Sequence, residues 1–177
     1  PVWKAIYYHY LPVGVEADAP PRRQDLGNAA VSWAAVSLAD KLDTLAGFFH
    51  AGEQPTGSRD PFGLRRQAHG LCRILADLPE LTGLQVRPSL GGLLAIAHDT
   101  WGRSLPEQAA HEVTFLRDRL RYVLEERGFD IRNVRAVTHE MAPDQLRPVD
   151  ARRKLEVLPE FTETPDDAGA HVDPVRA

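Results

Sequence analysis

Residues 52–75 read GEQPTGSRDPFGLRRQAHGLCRIL, and this stretch joins a turn-rich loop to the start of a helix. The glycines and the proline up to residue 57 are typical of a loop. Asp60 followed by Pro61 is a helix-start signal, because aspartate can accept hydrogen bonds from free amides and proline needs no amide partner in the first turn. Apolar residues then recur at helical spacing, at Leu64, Ala68, Leu71 and Leu75. The stretch therefore predicts a loop followed by an amphipathic helix.

Similar helical patterns occupy most of the chain. Before the loop, the predicted inward stripe comprises Val31, Ala35, Leu38, Leu42, Leu45 and Phe49. The polar faces of that helix carry Asp40, Lys41 and Asp43. Later stripes comprise Ala109, Val113, Leu116, Leu120 and Val123, and then Ile131, Val134, Val137 and Met141. Asp130 is expected to cap the second of these helices and Gly128 to end the first. Further helices are predicted within residues 2–11, 90–102 and 149–161, and no segment alternates as a strand does, so the sequence predicts an all-α fold.

Composition restricts the classes of function. The chain has 177 residues, of which 43% are hydrophobic and 26% charged, as expected for a folded globular chain. Its net charge is −4, so any nucleic-acid contact must come from a local basic cluster. The single cysteine excludes an intrachain disulfide and fits a reducing compartment, the cytoplasm. No apolar run reaches the roughly 18 residues of a membrane span, so we expect no membrane contact.

The helix after the loop has one strongly basic face. With the apolar stripe turned inward, the outward positions are Arg65, Arg66, His69 and Arg73, and Arg59 lies just before the helix. Permanently charged guanidinium groups at helical spacing are suited to gripping a phosphate backbone. The alternative is a solvated face whose arginines pair with carboxylates of neighbouring helices.

Other candidate sites are weaker. The loop lacks the Gly-Lys-Ser/Thr sequence of a phosphate-binding P-loop. Both His98–Asp99 and the pair His9 and Asp40 suggest metal ligands, but a metal needs at least three convergent groups. Cys72 lies beside the apolar stripe and is expected to be a buried small hydrophobe rather than a nucleophile. We expect no catalytic residue and no metal site within this chain.

Three blocks of the sequence resemble a known family. HYLP at residues 9–12, ADKLDTL at 39–45 and PTGSRDPFGLRR at 55–66 are similar, in this order and spacing, to the beta subunit of bacterial glycyl-tRNA synthetase. The segments at 115–130 and 149–161 also resemble later parts of that family. The resemblance covers about residues 1–163. The chain departs from the family's pattern at Val13, where an arginine is usual, and after residue 166, where the family continues into an anticodon-binding domain.

The resemblance implies a particular architecture. It implies an HD-domain-like helical bundle over residues 1–85, without its N-terminal part, and a smaller helical body segment over 86–162. Residues 163–177 have little apolar content and are expected to be a disordered tail. In active HD hydrolases several His and Asp side chains hold a divalent metal, so the resemblance makes His9 and Asp40 candidates for a vestigial HD site.

The resemblance also implies a role. The chain is expected to be a fragment of the beta subunit of glycine–tRNA ligase, a tRNA-binding and scaffolding part of a heterotetramer that uses ATP and Mg²⁺ to attach glycine to tRNA. Its partners would be the alpha subunit, the remainder of the beta subunit and tRNA(Gly). The candidate tRNA-binding residues are Arg59, Arg65, Arg66 and Arg73. Alternatives are a metal-dependent HD phosphohydrolase, an inactive structural remnant, or a structural role in which Arg65 or Arg66 pairs with Asp40 or Asp43.

Overall fold

The computed structural model describes residues 1–12, 20–101, 109–139, 142 and 145–162. Nine α-helices occur in these ranges: α1 (Val2–Tyr8), α2 (Arg23–Leu26), α3 (Ala30–His50), α4 (Leu64–Ala76), α5 (Leu78–Thr82), α6 (Leu90–Thr100), α7 (Ala109–Glu126), α8 (Ile131–Thr138) and α9 (Pro148–Thr162). A single turn of 3-10 helix, Gly27–Ala29, joins α2 to α3. The described residues contain no strand, only an isolated bridge between Thr56 and Arg59. The prediction of an all-α fold is confirmed.

Two hydrophobic clusters hold the helices together. The larger cluster takes one or more buried side chains from α3, α4, α6, α7, α8 and α9, including Leu45, Leu71, Leu94, Leu116, Val134 and Leu155. The smaller cluster joins α1, α2, α4, α5 and α9 to α3, and includes Ala5, Leu26, Trp33, Ile74, Leu78 and Val149. The larger cluster draws side chains from both sides of residue 85. The division into an HD-like unit and a body segment at that residue stays a prediction.

The first half of α3 buries a different face from the one predicted. Val31 is 45% exposed, and Ala35 is exposed as well. The buried positions are instead Trp33, Ser37 and Lys41, which are spaced four residues apart. Each of the three side chains carries a hydrogen-bond donor, and together they face the carbonyl oxygens of the last residue of α1 and of the three residues that follow it. The expectation that Lys41 lies on a polar outer face is therefore wrong.

Trp33, Ser37 and Lys41 satisfy those carbonyls directly. Trp33 Nε1 donates to the carbonyl oxygen of Tyr8 at 2.8 Å, and Ser37 Oγ donates to that of Leu11 at 3.2 Å. Lys41 Nζ lies 3.2 Å from each of the carbonyl oxygens of residues 9 and 10, and 3.2 Å from Ser37 Oγ. The need for hydrogen-bond donors at this crossing explains why α3 turns three polar side chains inward.

The residue that caps α4 was predicted correctly, but the helix begins later in the sequence than predicted. Asp60 accepts hydrogen bonds from the amides of Leu64 at 2.8 Å and Arg65 at 3.0 Å, so its predicted capping role is confirmed. The helix itself begins only at Leu64, after Gly63 in the left-handed region at φ 67°. Pro61 consequently lies in the exposed turn before the helix and not in its first turn.

The predictions for α7 and α8 are largely confirmed. Val113, Leu116, Leu120 and Val123 of the α7 stripe are buried. Asp130 Oδ1 accepts from the amides of residues 132 and 133 and caps α8. Ile131 is 45% exposed, contrary to expectation, because it lies in the first turn beyond the reach of the core. Val13, Met141 and the expected tail at 163–177 lie outside the described residues.

Candidate nucleic-acid interface

A tight turn presents Arg59 to solvent. The amide of Thr56 donates to the carbonyl oxygen of Arg59 at 3.1 Å, and the amide of Arg59 donates back to that of Thr56 at 2.8 Å. Gly57 makes the turn possible because its φ of 51° lies in the left-handed region. The Arg59 side chain is exposed. The loop is thus a defined structure that holds one cation outward just before α4.

Arg65 ties the start of α4 to this loop. Its Nη2 donates to the carbonyl oxygen of Gly57 at 2.7 Å, and its side chain is half-buried. The bond uses one of the five N–H groups of the guanidinium, so the others can still donate to an anion. It also fixes the orientation of the group and brings its charge next to the turn that holds Arg59.

Arg66 lies on the exposed side of the same helical turn. Its guanidinium lies against Gly63, so close that a Cβ built on that glycine would stand 2.9 Å from Nη2. Within the described residues, neither Arg65 nor Arg66 forms an ion pair with Asp40 or Asp43, and Asp43 instead accepts from Trp101 Nε1 at 3.1 Å. The two helices are therefore not held in register by those arginines.

Arg73 belongs to a different group of cations. It lies seven residues beyond Arg66 on α4, which places it about 10 Å further along the helix axis. Arg73 and Arg119 of α7 both act electrostatically on the same buried imidazole, that of His69. The Arg119 guanidinium also lies over the Tyr122 ring, 5.3 Å from its centroid. The sequence did not indicate Arg119, because it approaches His69 only when α7 packs on α4.

His69 does not lie on the basic outer face. Its side chain is only 3% exposed, because the Tyr122 ring of α7 packs against it at 5.8 Å between centroids. Its Nε2 lies 3.5 Å from Glu126 Oε2. Burial is the main cause of a lowered pKa for His69; Glu126 opposes that shift, and three nearby guanidinium groups add to it, those of Arg73, Arg119 and Arg127. The helical pattern of α4 alone could not show that α7 covers this position.

The arrangement divides the predicted arginine face into two parts. Arg59, Arg65 and Arg66 form the first, which we call the α4 entry group. Arg73 and Arg119 form the second part, defined by their common effect on His69 further along α4. Arg127, which also acts on His69, forms a two-point pair with Asp77, with N–O distances of 2.8 and 2.7 Å, and Asp77 also pairs with Arg152. The α4 entry group is therefore the cluster most suited to an external anion.

His9 and Asp40 both line a groove of about 820 Å³ along α3 and α6. The groove is mainly apolar, and its walls include Val36, Leu93 and Ile96. His9 Nδ1 is 2.6 Å from the carbonyl oxygen of Ile6, so that nitrogen is the protonated donor. In the part of the chain that the structure describes, no three His, Cys, Asp or Glu side chains converge as metal ligands. A vestigial HD site at these two residues stays a prediction.

A cation of the protein itself stands beside this pair. The Lys41 amine is buried against the carbonyl oxygens of His9 and Tyr10. Burial lowers its pKa from 10.5 to about 8, although the Asp40 carboxylate acts in the opposite direction. The carbonyl-lined space at the end of α1 is thus already filled by a lysine, which is unlike an open metal centre.

The remaining candidates are structural. Cys72 is buried, and burial raises the pKa of its thiol to about 12, so it is not a ready nucleophile. His98 packs at the end of α6, where its Nε2 is 2.8 Å from Glu112 Oε2 of α7. Both side chains of that pair are buried. Burial raises the pKa of Glu112, and the bond to His98 opposes this. His98 therefore joins two helices, and the sequence missed its partner because 14 residues separate them.

Comparisons with known proteins point to one family. The model of the glycyl-tRNA synthetase beta subunit family matches residues 1–139. The glycine–tRNA ligase beta subunit of Anaeromyxobacter dehalogenans is 40% identical over 167 residues, which cover 92% of this chain and 21% of that protein. Those of Acidithiobacillus ferrooxidans and Pseudomonas putida are each 36% identical, over 157 and 161 residues. The chain spans about a fifth of the length of these relatives, 21% and 22% for the latter two.

Proposed function

The chain belongs to the glycyl-tRNA synthetase beta subunit family, and we propose that it is the segment of such a subunit that contacts tRNA through the α4 entry group. The relatives bear the name of a ligase subunit, which favours this role over an HD phosphohydrolase. The two-residue pair at His9 and Asp40, next to the buried Lys41 amine, offers nothing further in favour of the phosphohydrolase.

The observation that carries the proposal is that three neighbouring guanidinium groups, those of the α4 entry group, form no ion pair within the described residues. Among the described residues no carboxylate forms an ion pair with Arg59, Arg65 or Arg66, in a chain whose net charge is −4. A guanidinium held in place by Gly57 loses less conformational freedom when it binds a phosphate oxygen.

The role of the whole enzyme follows as part of the proposal. The parent subunit would assemble with an alpha subunit in the cytoplasm, and the assembly would use ATP and Mg²⁺ to attach glycine to tRNA(Gly). This chain would supply tRNA contacts and a rigid support, and the catalytic chemistry would lie elsewhere in the assembly. Of the helices in the described ranges, none has the length and apolar character needed to cross a bilayer. Arg73, with Arg119, would form a second and weaker phosphate contact.

Binding of glycine tRNA to this chain tests the proposal. The affinity should be measured by fluorescence anisotropy at low salt for the native chain and for an Arg59→Ala, Arg65→Ala double variant. We expect the double variant to bind on the order of tenfold more weakly, because two phosphate contacts are lost.

Arg135→Ala is the matched control, since Arg135 is an exposed arginine on α8, away from α4. It should leave the affinity nearly unchanged. If a folded native chain does not bind the tRNA, the proposal is wrong, and the segment is a scaffold or remnant. If the control loses as much affinity as the double variant, binding is a general property of the surface charge.

A further inference from the structure

A small cavity lies directly beside the α4 entry group. It has a volume of about 150 Å³ and opens between the end of α1 and the start of α4. Its lining residues are Tyr10, Pro12, Phe62, Gly63, Arg66 and Gln67. Sites for drug-sized ligands have volumes of roughly 300–1,000 Å³, so this cavity suits a single planar ring system and not a larger ligand. Neither the arginine face predicted from the sequence nor the family match assigns it a role.

Two exposed aromatic rings border the cavity. Phe62 is 44% exposed and Tyr10 is 49% exposed, although both rings are large and apolar. Phe62 is not a loose side chain, because Phe48 of α3 stacks on it with 4.2 Å between ring centroids and 24° between planes. Phe48 in turn packs against the larger hydrophobic cluster. The fold thus supports one face of the Phe62 ring and leaves the remainder of the ring accessible.

The backbone places a positive charge next to these rings. The Arg66 guanidinium lies against Gly63, and a Cβ built on that glycine would stand 2.9 Å from Nη2 and 3.2 Å from Nε. Gly63 also has a φ of 67°, a conformation that favours glycine. No described carboxylate pairs with Arg66. An aromatic platform and an uncompensated guanidinium therefore share one small cavity.

We propose that this cavity binds one unpaired nucleotide of the tRNA, with its base stacked on Phe62 and its phosphate on Arg66. Proteins recognise unstacked RNA bases with aromatic side chains and hold the backbone with arginines. Paired bases are shielded inside a helix, so only a nucleotide outside a duplex can reach the ring. The inference rests on the proposed function, and it adds stacking to the electrostatic contacts of the α4 entry group.

Substitution of Phe62 distinguishes the contribution of base stacking to tRNA affinity from the contribution of charge. We expect Phe62→Leu to weaken binding of glycine tRNA about 5- to 100-fold, the range for the loss of one base–aromatic stack. The dependence of affinity on salt should not change, because leucine alters no charge. Phe62→Tyr keeps a ring of the same shape and should bind within about twofold of the native chain. Tyr7→Leu, which removes an exposed ring of α1 outside the cavity lining, should have no effect.

Each other outcome has a definite meaning, provided that circular dichroism shows the variants to be folded. Native affinity in Phe62→Leu would overturn the nucleotide site and leave the proposed tRNA contact through the arginines intact. Equal losses of affinity in Phe62→Leu and Phe62→Tyr would also overturn it, because tyrosine retains an aromatic ring and should still stack on the base. Absence of tRNA binding by the native chain would overturn both proposals. Displacement of the tRNA by a free nucleoside monophosphate at millimolar concentration would assign the cavity to a soluble nucleotide instead.

Discussion

The buried amine of Lys41 joins α3 to the end of α1. Its three hydrogen-bond acceptors are two backbone carbonyls and Ser37 Oγ, each at 3.2 Å. The two carbonyls belong to His9 and Tyr10, in the turn that follows α1. Replacing Lys41 by Met keeps an unbranched apolar stem but removes the donor from these partly buried carbonyls. We expect Lys41→Met to lower the free energy of unfolding by about 1–3 kcal/mol in chemical denaturation.

The same substitution should change how stability depends on pH. The pKa of Lys41 falls from 10.5 to about 8 in the folded chain. Between these two pH values the unfolded chain keeps a proton that the folded amine has released, so the stability contributed by this group rises with pH. The difference in unfolding free energy between the native chain and Lys41→Met should therefore grow from pH 8 to pH 10. A constant difference would show that the amine is not buried as described.

Individual residues also show what a sequence pattern cannot provide. The burial of Leu64, Ala68 and Leu71 was predictable because a helix with that period needs one apolar face. His69 was predicted to face outward, yet Tyr122 and Glu126 of α7 cover it. Those residues lie more than 50 positions away in sequence, so nothing in the local pattern of α4 indicates them.

Helix α4 depends on a carboxylate placed before its first turn. Asp60 accepts from the amides of Leu64 and Arg65, and Arg65 in turn holds the loop through Gly57. Asp60→Ala removes both acceptors, and we expect it to lower the unfolding free energy by about 0.5–2 kcal/mol. Asp60→Asn retains a carbonyl acceptor at the same place and should recover most of this loss. If Asn is as destabilising as Ala in thermal unfolding, capping is not the role of Asp60.

The two long helices α3 and α7 differ in how well the sequence predicted them. The stripe of α7 was predicted correctly because apolar neighbours receive its inward face along the described length. Helix α3 was predicted correctly only in its second half, where Leu42, Leu45 and Phe49 enter the larger cluster. Its first half packs Ala30, Trp33 and Ala34 into the smaller hydrophobic cluster and also places hydrogen-bond donors such as Ser37 against backbone carbonyls at and after the end of α1. Hydrophobic periodicity predicts apolar contacts and misses this kind of polar contact.

Over the whole molecule, the packed helices support the loop and helix start that carry the α4 entry group. Both hydrophobic clusters include residues of α3 and α4, so the loop between these helices has rigid elements on both sides. That loop and the first turn of α4 carry Arg59, Arg65 and Arg66. The family, the all-α fold and the basic helix could all be predicted from the sequence. The aromatic cavity and the second group at Arg119 could not, because each requires residues from distant helices.

The central claim is that the α4 entry group contacts the phosphates of tRNA, and the salt dependence of binding tests it most directly. The logarithm of the affinity for glycine tRNA should be plotted against the logarithm of salt concentration for the native chain and for the Arg59→Ala, Arg65→Ala, Arg66→Ala triple variant. Each lost phosphate contact reduces the slope by about 0.7–0.9, so we expect the slope of the triple variant to be smaller by about 2 to 3. Identical slopes in a folded triple variant would contradict the claim and place the phosphate contacts elsewhere.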